Sequence, residues 1–156
     1  MGLRENILQE PVSRLPIREP VLVKATATVR EAAAKMRAAH LGCAIVIDGR
    51  GKPIGKFTER KLMKVVLDDA GGLDQPVSDF MYPTGDPVPA DAPIAAMVRI
   101  MQSKQLRFLT VVDKKGKAVG LTGQKGLMEY IAEHFPRQVK VQHTDDKLYM
   151  DEREGA

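Results

Sequence analysis

Residues 10–15 read EPVSRL, and sixty-five positions later residues 75–80 read QPVSDF. Self-similarity at a fixed offset marks a structural unit copied whole, so the first test is whether the offset persists. Held at 65 with no gap, Val12 and Ser13 fall on Val77 and Ser78, Val23 on Val88, Met36 on Met101, and Leu41 on Leu106. Further on, Val46 and Asp48 meet Val111 and Asp113, Gly51 and Lys52 meet Gly116 and Lys117, Gly55 meets Gly120, and Leu62 and Met63 meet Leu127 and Met128. The chain is a tandem duplication. Its expected organisation is repeat 1 over 10–69, a connector over 70–75, repeat 2 over 76–135 and a charged tail over 136–156.

A length of 156 residues suits one domain, and 44% hydrophobic residues are enough for a core. Two units of about 60 residues are each marginal alone, which predicts that they share one core. Lys and Arg number 24 against 20 Asp and Glu, a net +4, so the surface is mixed rather than polycationic and nucleic acid is not indicated. Four Phe, three Tyr and no Trp leave few platforms for stacking bases. Cys43, the single cysteine, sits in the apolar run CAIVI and reads as a small buried hydrophobe in a reducing compartment. The start MGLRENILQEP lacks the apolar core of a signal peptide, and no apolar run approaches 18 residues. A soluble, cytoplasmic protein with no membrane partner is expected.

Each copy spells the same series of elements. In TVREAAAKMRAAH (28–40), Thr28 followed by Glu31 makes a capping box, and Val29, Ala32, Ala33 and Met36 form one apolar helix stripe. Ile94, Met97, Val98 and Met101 repeat that stripe, with Pro93 expected in the first turn, where its missing N–H costs nothing. CAIVI (43–47) and LTVV (109–112) are β-branched runs closed by DGRGKP and DKKGK, which predicts hairpins into the return strands IGKF (54–57) and AVGL (118–121). A second helix follows each hairpin, with Leu62, Met63, Val66 and Leu67 in one copy and Leu127, Met128, Ile131 and Ala132 in the other. The fold class is therefore α/β, built from two β-α-β-β-α units, each introduced by a short extended segment around VLV or PVP. DDAGGLDQP (68–76) has the Gly and Asp content of a connector.

No motif points to catalysis. GRGKPIGK (49–56) superficially resembles a phosphate loop, but only three residues separate Gly51 from Gly55 where four are needed, and Phe57 replaces the Ser or Thr that would hold magnesium. His40, His134 and His143 have no metal-ligand spacing, and no nucleophile, base and acid recur together. The reading is that the protein is not an enzyme.

In element order and wording the two copies resemble a tandem pair of CBS domains, the regulatory module named after cystathionine beta-synthase. PVSDFM, DAPIAAMVRIM and RFLTVVDKKGKAVGL in the second copy are answered by ATATVREAAAKMRAAH and CAIVIDGRGKPIGKFTERKL in the first. The resemblance covers roughly residues 10–135. It implies two repeats packed about a pseudo-two-fold axis with two related clefts between them. It also implies adenosine-containing ligands such as AMP, ADP, ATP or S-adenosylmethionine, and association of two pairs into a flat homodimer.

Nucleotide-binding members of the family carry Gly, two apolar residues, Ser or Thr, any two residues and then Asp at the junction from strand to second helix. GKFTERK keeps Gly55 and Thr58 but places Lys61 where the Asp belongs; GLTGQKG has Gly123 and Gly126 at the Thr and Asp positions. The family's Asp accepts hydrogen bonds from the ribose diol, which a lysine ammonium cannot do. Each loss removes a charge-assisted bond of roughly 1.5–3 kcal/mol, about ten- to hundredfold in affinity. What remains is mostly cationic: Arg60, Lys61 and Lys125, with the neutral Gln124, begin the second helices, where free backbone N–H groups and the helix dipole favour an anion. The resemblance adds Arg107, at a position that reaches a phosphate, and Val23 and Val88, where backbone groups meet adenine.

The function expected from these residues is a stand-alone regulatory pair that binds an adenosine-type or other anionic metabolite in an inter-repeat cleft and signals to an unknown protein partner. The alternative is a ligand-free dimerisation or scaffold module. A homodimer is expected in either case, with Leu62, Met63, Val66, Leu67, Leu127, Met128, Ile131 and Phe135 in the contact and Met97 and Met101 adding adaptable surface.

Overall fold

Asp48 and Asp113 close equivalent hairpins. Each Oδ1 accepts two backbone amides, those of Arg50 and Lys52 at 2.8 and 2.9 Å and those of Lys115 and Lys117 at 2.8 and 3.0 Å. Gly51 (φ 80°) and Gly116 (φ 78°) supply the left-handed residue the turn needs. These two turns are images of each other at the 65-residue offset.

The computed structural model describes residues 2–83, 85 and 87–136, so the charged tail falls, from 137 on, outside the described residues. In chain order the elements are α1 (Leu3–Gln9), β1 (Leu22–Lys24), α2 (Val29–Ala39), β2 (Cys43–Ile47), β3 (Pro53–Thr58) and α3 (Glu59–Asp68), then β4 (Tyr82–Pro83), β5 (Val88–Pro89), α4 (Ile94–Lys104), β6 (Phe108–Val112), β7 (Ala118–Gly123) and α5 (Gln124–His134). One sheet runs β1-β2-β3-β4 and the other β5-β6-β7. In both, the first strand lies parallel to the second and the hairpin partner antiparallel, with a bulge between Val46 and Ile47 in one copy and Val111 and Val112 in the other.

The capping box forms as its sequence predicts: Thr28 Oγ1 accepts the Glu31 amide at 3.1 Å and the Glu31 carboxylate accepts the Thr28 amide at 2.8 Å. Val29, Ala32 and Met36 are buried along the stripe. Pro93 departs from expectation, since it stands just before α4 with extended ψ (144°) rather than in its first turn. The cause is a backbone contact: Pro93 bridges Pro11, and the first helical amide, Ile94, donates to Glu10 at 2.9 Å.

That contact answers why the chain repeats its opening phrase. Residues 10–13 bind the second copy, with Val12 donating to Ala92 (2.8 Å) and Ser13 to Ala90 (2.9 Å); residues 75–78 bind the first, with Val77 donating to Ala27 (2.7 Å) and Ser78 to Ala25 (3.3 Å). Every bond is the 65-residue image of another. The exchange continues into the sheets, where Arg18 and Leu121 pair across 2.9 and 3.1 Å bonds and β4 pairs with β3. Each leader thus completes the other copy.

The expectation of one shared core is corrected. Buried side chains divide into a first core including Val29, Phe57 and Val65, completed by Val77, and a second including Ile94, Leu109 and Val111, completed by Val12 and Leu15. A small seam of Cys43, Ile45 and Leu121, flanked by Leu22, Ile47, Phe108 and Ala118, lies between the copies. The marginal size of each copy is met by swapping leaders rather than by fusing interiors. Met97 and Met101 are also corrected: both are buried in the second core and offer no adaptable surface to a partner chain.

Helix α1 was not foreseen from the sequence. It packs on α4, with Ile7 against the second core. Its Asn6 side chain donates to the Tyr130 hydroxyl (3.4 Å), which itself donates to the Glu10 carboxylate, tying the chain's start to α5. The connector contains a 3-10 turn, Ala70–Asp74, opened by Asp69 accepting the Gly71 amide at 2.8 Å.

Candidate functional site

The two strand-to-helix junctions are equivalent in sequence position and unlike in chemistry. In copy 1, Thr58 caps α3, its hydroxyl accepting the Lys61 amide at 3.4 Å. Lys61 Nζ sits 4.2 Å from the centroid of the Tyr82 ring on β4. The position expected to carry a ribose-binding carboxylate thus holds a cation stacked on an aromatic ring. Arg60 is exposed on the first turn beside it.

In copy 2 the glycines have a steric cause. A Cβ at 123 would collide with the Arg107 carbonyl and lie 2.5 Å from Phe108 Cα, so the Thr of the other copy has no room there. At 126 a Cβ would lie 2.6 Å from Thr122 Oγ1 and 2.9 Å from the Pro16 carbonyl oxygen, two atoms joined by a 3.0 Å hydrogen bond. The exchanged leader therefore fills the second carboxylate position with the chain's own backbone.

Arg107 and Gln124 come together at a cleft of about 430 Å³, whose other lining residues are Val98, Met101, Gln102, Gln105 and Leu106. All of these belong to copy 2. Lys125, exposed on the first turn of α5, does not line it. The expectation that the starts of the second helices offer free amides is only partly met, because Gln124 donates to Arg107 (2.9 Å) and Glu59 to Gly42 (3.0 Å). Val23 and Val88 lie on the edge strands β1 and β5, paired with Val46 and Val111, and their side chains are in the two cores. Of these two valines, only backbone atoms can meet a ligand.

Sequence reasoning missed Lys56. It follows Gly55 at a position where the family pattern is apolar, yet it is only 8% exposed. Its Nζ lies 3.5 Å from the Phe108 carbonyl and 4.7 Å from the Phe108 ring centroid, so it reaches across the seam into copy 2. Burial holds its pKa below the ordinary lysine value. Burial likewise pushes the neighbouring Cys43 thiol up to about 11, against a smaller opposing pull from Lys56. The signal available in the sequence was the 65-residue image of Lys56, Leu121, an apolar residue at the same strand position. Among the described residues, no His, Cys, Asp and Glu cluster could hold a metal ion, and no helix is long and apolar enough to cross a membrane.

Two β-α-β-β-α repeats with exchanged leaders define a tandem α/β pair. The sequence model of the CBS domain matches residues 12–68 and again 77–133, and the chain belongs to the CBS domain family. A 17.7 kDa protein of Acidianus ambivalens is 28% identical over 116 residues, 74% of this chain and 70% of that one. The chain spans 61% and 32% of the lengths of two further relatives, from Methanopyrus kandleri and Methanocaldococcus jannaschii. Among solved structures, a CBS domain protein of Pyrobaculum aerophilum complexed with AMP superposes with a TM-score of 0.66 at 23% identity, covering 85% of this chain and 98% of that one. A CBS domain pair in complex with 5'-methylthioadenosine and S-adenosyl-L-methionine gives 0.67 at 16% identity, covering 79% and 96%. These likenesses establish the fold.

Proposed function

We propose that this CBS pair is a sensor that binds an adenosine-type or other anionic metabolite and passes the resulting change to a partner protein. The observation that carries the reading is the convergence of Arg107 and Gln124 on one cleft of about 430 Å³. A guanidinium grips phosphate through paired donors, and an amide side chain offers both a donor and an acceptor to a base or sugar. Relatives of the same fold hold AMP, 5'-methylthioadenosine and S-adenosyl-L-methionine. A thermal-shift panel of AMP, ADP, ATP and S-adenosylmethionine tests it. Ligand at about 100 times its dissociation constant stabilises by roughly 2.7 kcal/mol, and no shift with any member of the panel overturns the reading.

The same chain is proposed to act as a homodimer. Met63 (62% exposed), Leu67 (83%), Val66 and Met128 present apolar side chains on the outer faces of α3 and α5. A symmetric pairing buries such a patch by repeating it. Light scattering on a gel-filtration column distinguishes one chain from two. A dimer with no response to the ligand panel favours the scaffold reading.

A further inference from the structure

We infer that Lys56 is an anion-binding group buried in the seam between the copies, and that it makes the two sides of the seam unequal, so that each chain takes one phosphate-bearing ligand there. The identity of that ligand as an adenosine phosphate rests on the function proposed above; the anion site itself does not.

Alternation along β3 sets the direction. Phe57 fills the first core, so Lys56 faces the second copy, where it meets Phe108. An ammonium carries three N–H donors, and the contacts in place are one long bond to a carbonyl and one ring face. Among the described residues no carboxylate lies within 4.0 Å of it. A buried cation without a counterion is unfavourable, and packing alone does not call for one: the equivalent position in copy 2 is Leu121, which the seam accommodates readily.

A second observation comes from the same face. Phe108 lies in the seam while Leu109 and Val111 fill the second core, so Thr110 points into the seam as well. Its hydroxyl is buried and has no hydrogen-bond partner among the described residues. The 65-residue shift carries the apolar trio Cys43, Ile45 and Leu121 onto Phe108, Thr110 and Lys56. The Lys56–Phe108 contact therefore has Leu121 and Cys43 as its pseudo-two-fold image, and Thr110 stands where the image has Ile45; across the strands Lys56 is in register with Ile45 and Thr110 with Leu121. Phosphate oxygens accept from ammonium and hydroxyl donors alike, and desolvation strengthens such bonds. The junction of the first copy, with Thr58 and Lys61, is also the more polar of the two, whereas at the second the Pro16 carbonyl closes the carboxylate position.

Calorimetric titration of the full chain with AMP and with adenosine tests this, using wild type, Lys56→Met and Lys56→Arg. The expected result is one AMP per chain, bound at least tenfold more tightly than adenosine. Lys56→Met should remove that preference while leaving adenosine affinity unchanged, and Lys56→Arg should keep it. Methionine removes the charge at similar volume, and Leu121 shows that an apolar residue fits the fold. A preference for AMP that survives Lys56→Met, or two AMP molecules per chain, overturns the inference. If neither probe binds, the adenosine reading fails and orthophosphate decides the site. A rise in melting temperature larger in wild type than in Lys56→Met upholds it, and equal responses overturn it.

Discussion

The amide of Val77 donates to the carbonyl of Ala27 at 2.7 Å, and its image, Val12 to Ala92, spans 2.8 Å. Both valines are fully buried in the core of the copy to which they do not belong by sequence. Val12→Ala and Val77→Ala should each lower stability by about 2–3 kcal/mol, the cost of two buried methyl groups plus a residual cavity. Chemical denaturation should show one transition shifted to lower midpoint with an unchanged slope. A second resolved transition in either variant contradicts the reciprocal bracing.

The unlike junctions make opposite substitutions informative. Lys61→Asp places a carboxylate at the first turn of α3, where the helix dipole favours it, and should raise affinity for AMP by roughly tenfold through the ribose diol. Gly126→Asp should not raise it, because the new Cβ would meet the Pro16 carbonyl at 2.9 Å. That variant should instead lose about 1–3 kcal/mol of stability. Titration and melting of the two proteins side by side decide the matter, and improved binding by Gly126→Asp is the adverse result.

Arg107 lines the cleft with Gln124 and belongs to neither core. Arg107→Ala should therefore leave the melting temperature of the free protein nearly unchanged and weaken AMP binding about tenfold, on the order of 1.5 kcal/mol. An unaltered dissociation constant removes Arg107 from the site.

The periodic features of the fold were legible in the sequence. The offset of 65 located both hairpins, and Thr28 with Glu31 announced a cap that forms as read. Which copy each leader would join was not legible, because a duplication shows that two phrases are equivalent and says nothing about which copy each one packs against. Helix α1 is too short for a 3.6-residue period to stand out. Lys56 hid for another reason: a charged residue in a strand ordinarily marks the solvent face, and here that face is covered by the other copy. Gly123 and Gly126 read as lost ligand groups, and their steric cause lies largely in Arg107, Phe108 and Pro16, which are 15 or more residues away in sequence.

Alkaline stability should depend on Cys43. Below pH 9 its thiol is protonated in the folded and the unfolded chain alike. Between the ordinary 9.0 and the folded value of about 11 the unfolded chain gives up the proton first, so stability falls as pH rises, by roughly 2–3 kcal/mol in all. Lys56 opposes this: its folded pKa is depressed below 10.5, the unfolded chain holds the extra proton in that window, and stability there rises with pH. Cys43→Ala should flatten the decline. Urea unfolding of both proteins from pH 8 to 10.5 measures it, and parallel curves contradict the assignment.

The exchanged leaders should make the two copies one unit that responds to ligand as a whole. Differential scanning calorimetry of the full chain, alone and with AMP, tests it most directly. The expected trace is a single transition that moves intact to higher temperature, by an amount that corresponds to roughly 2.7 kcal/mol at about 100 times the dissociation constant. Two separable transitions, or a single transition that AMP leaves in place, would contradict it.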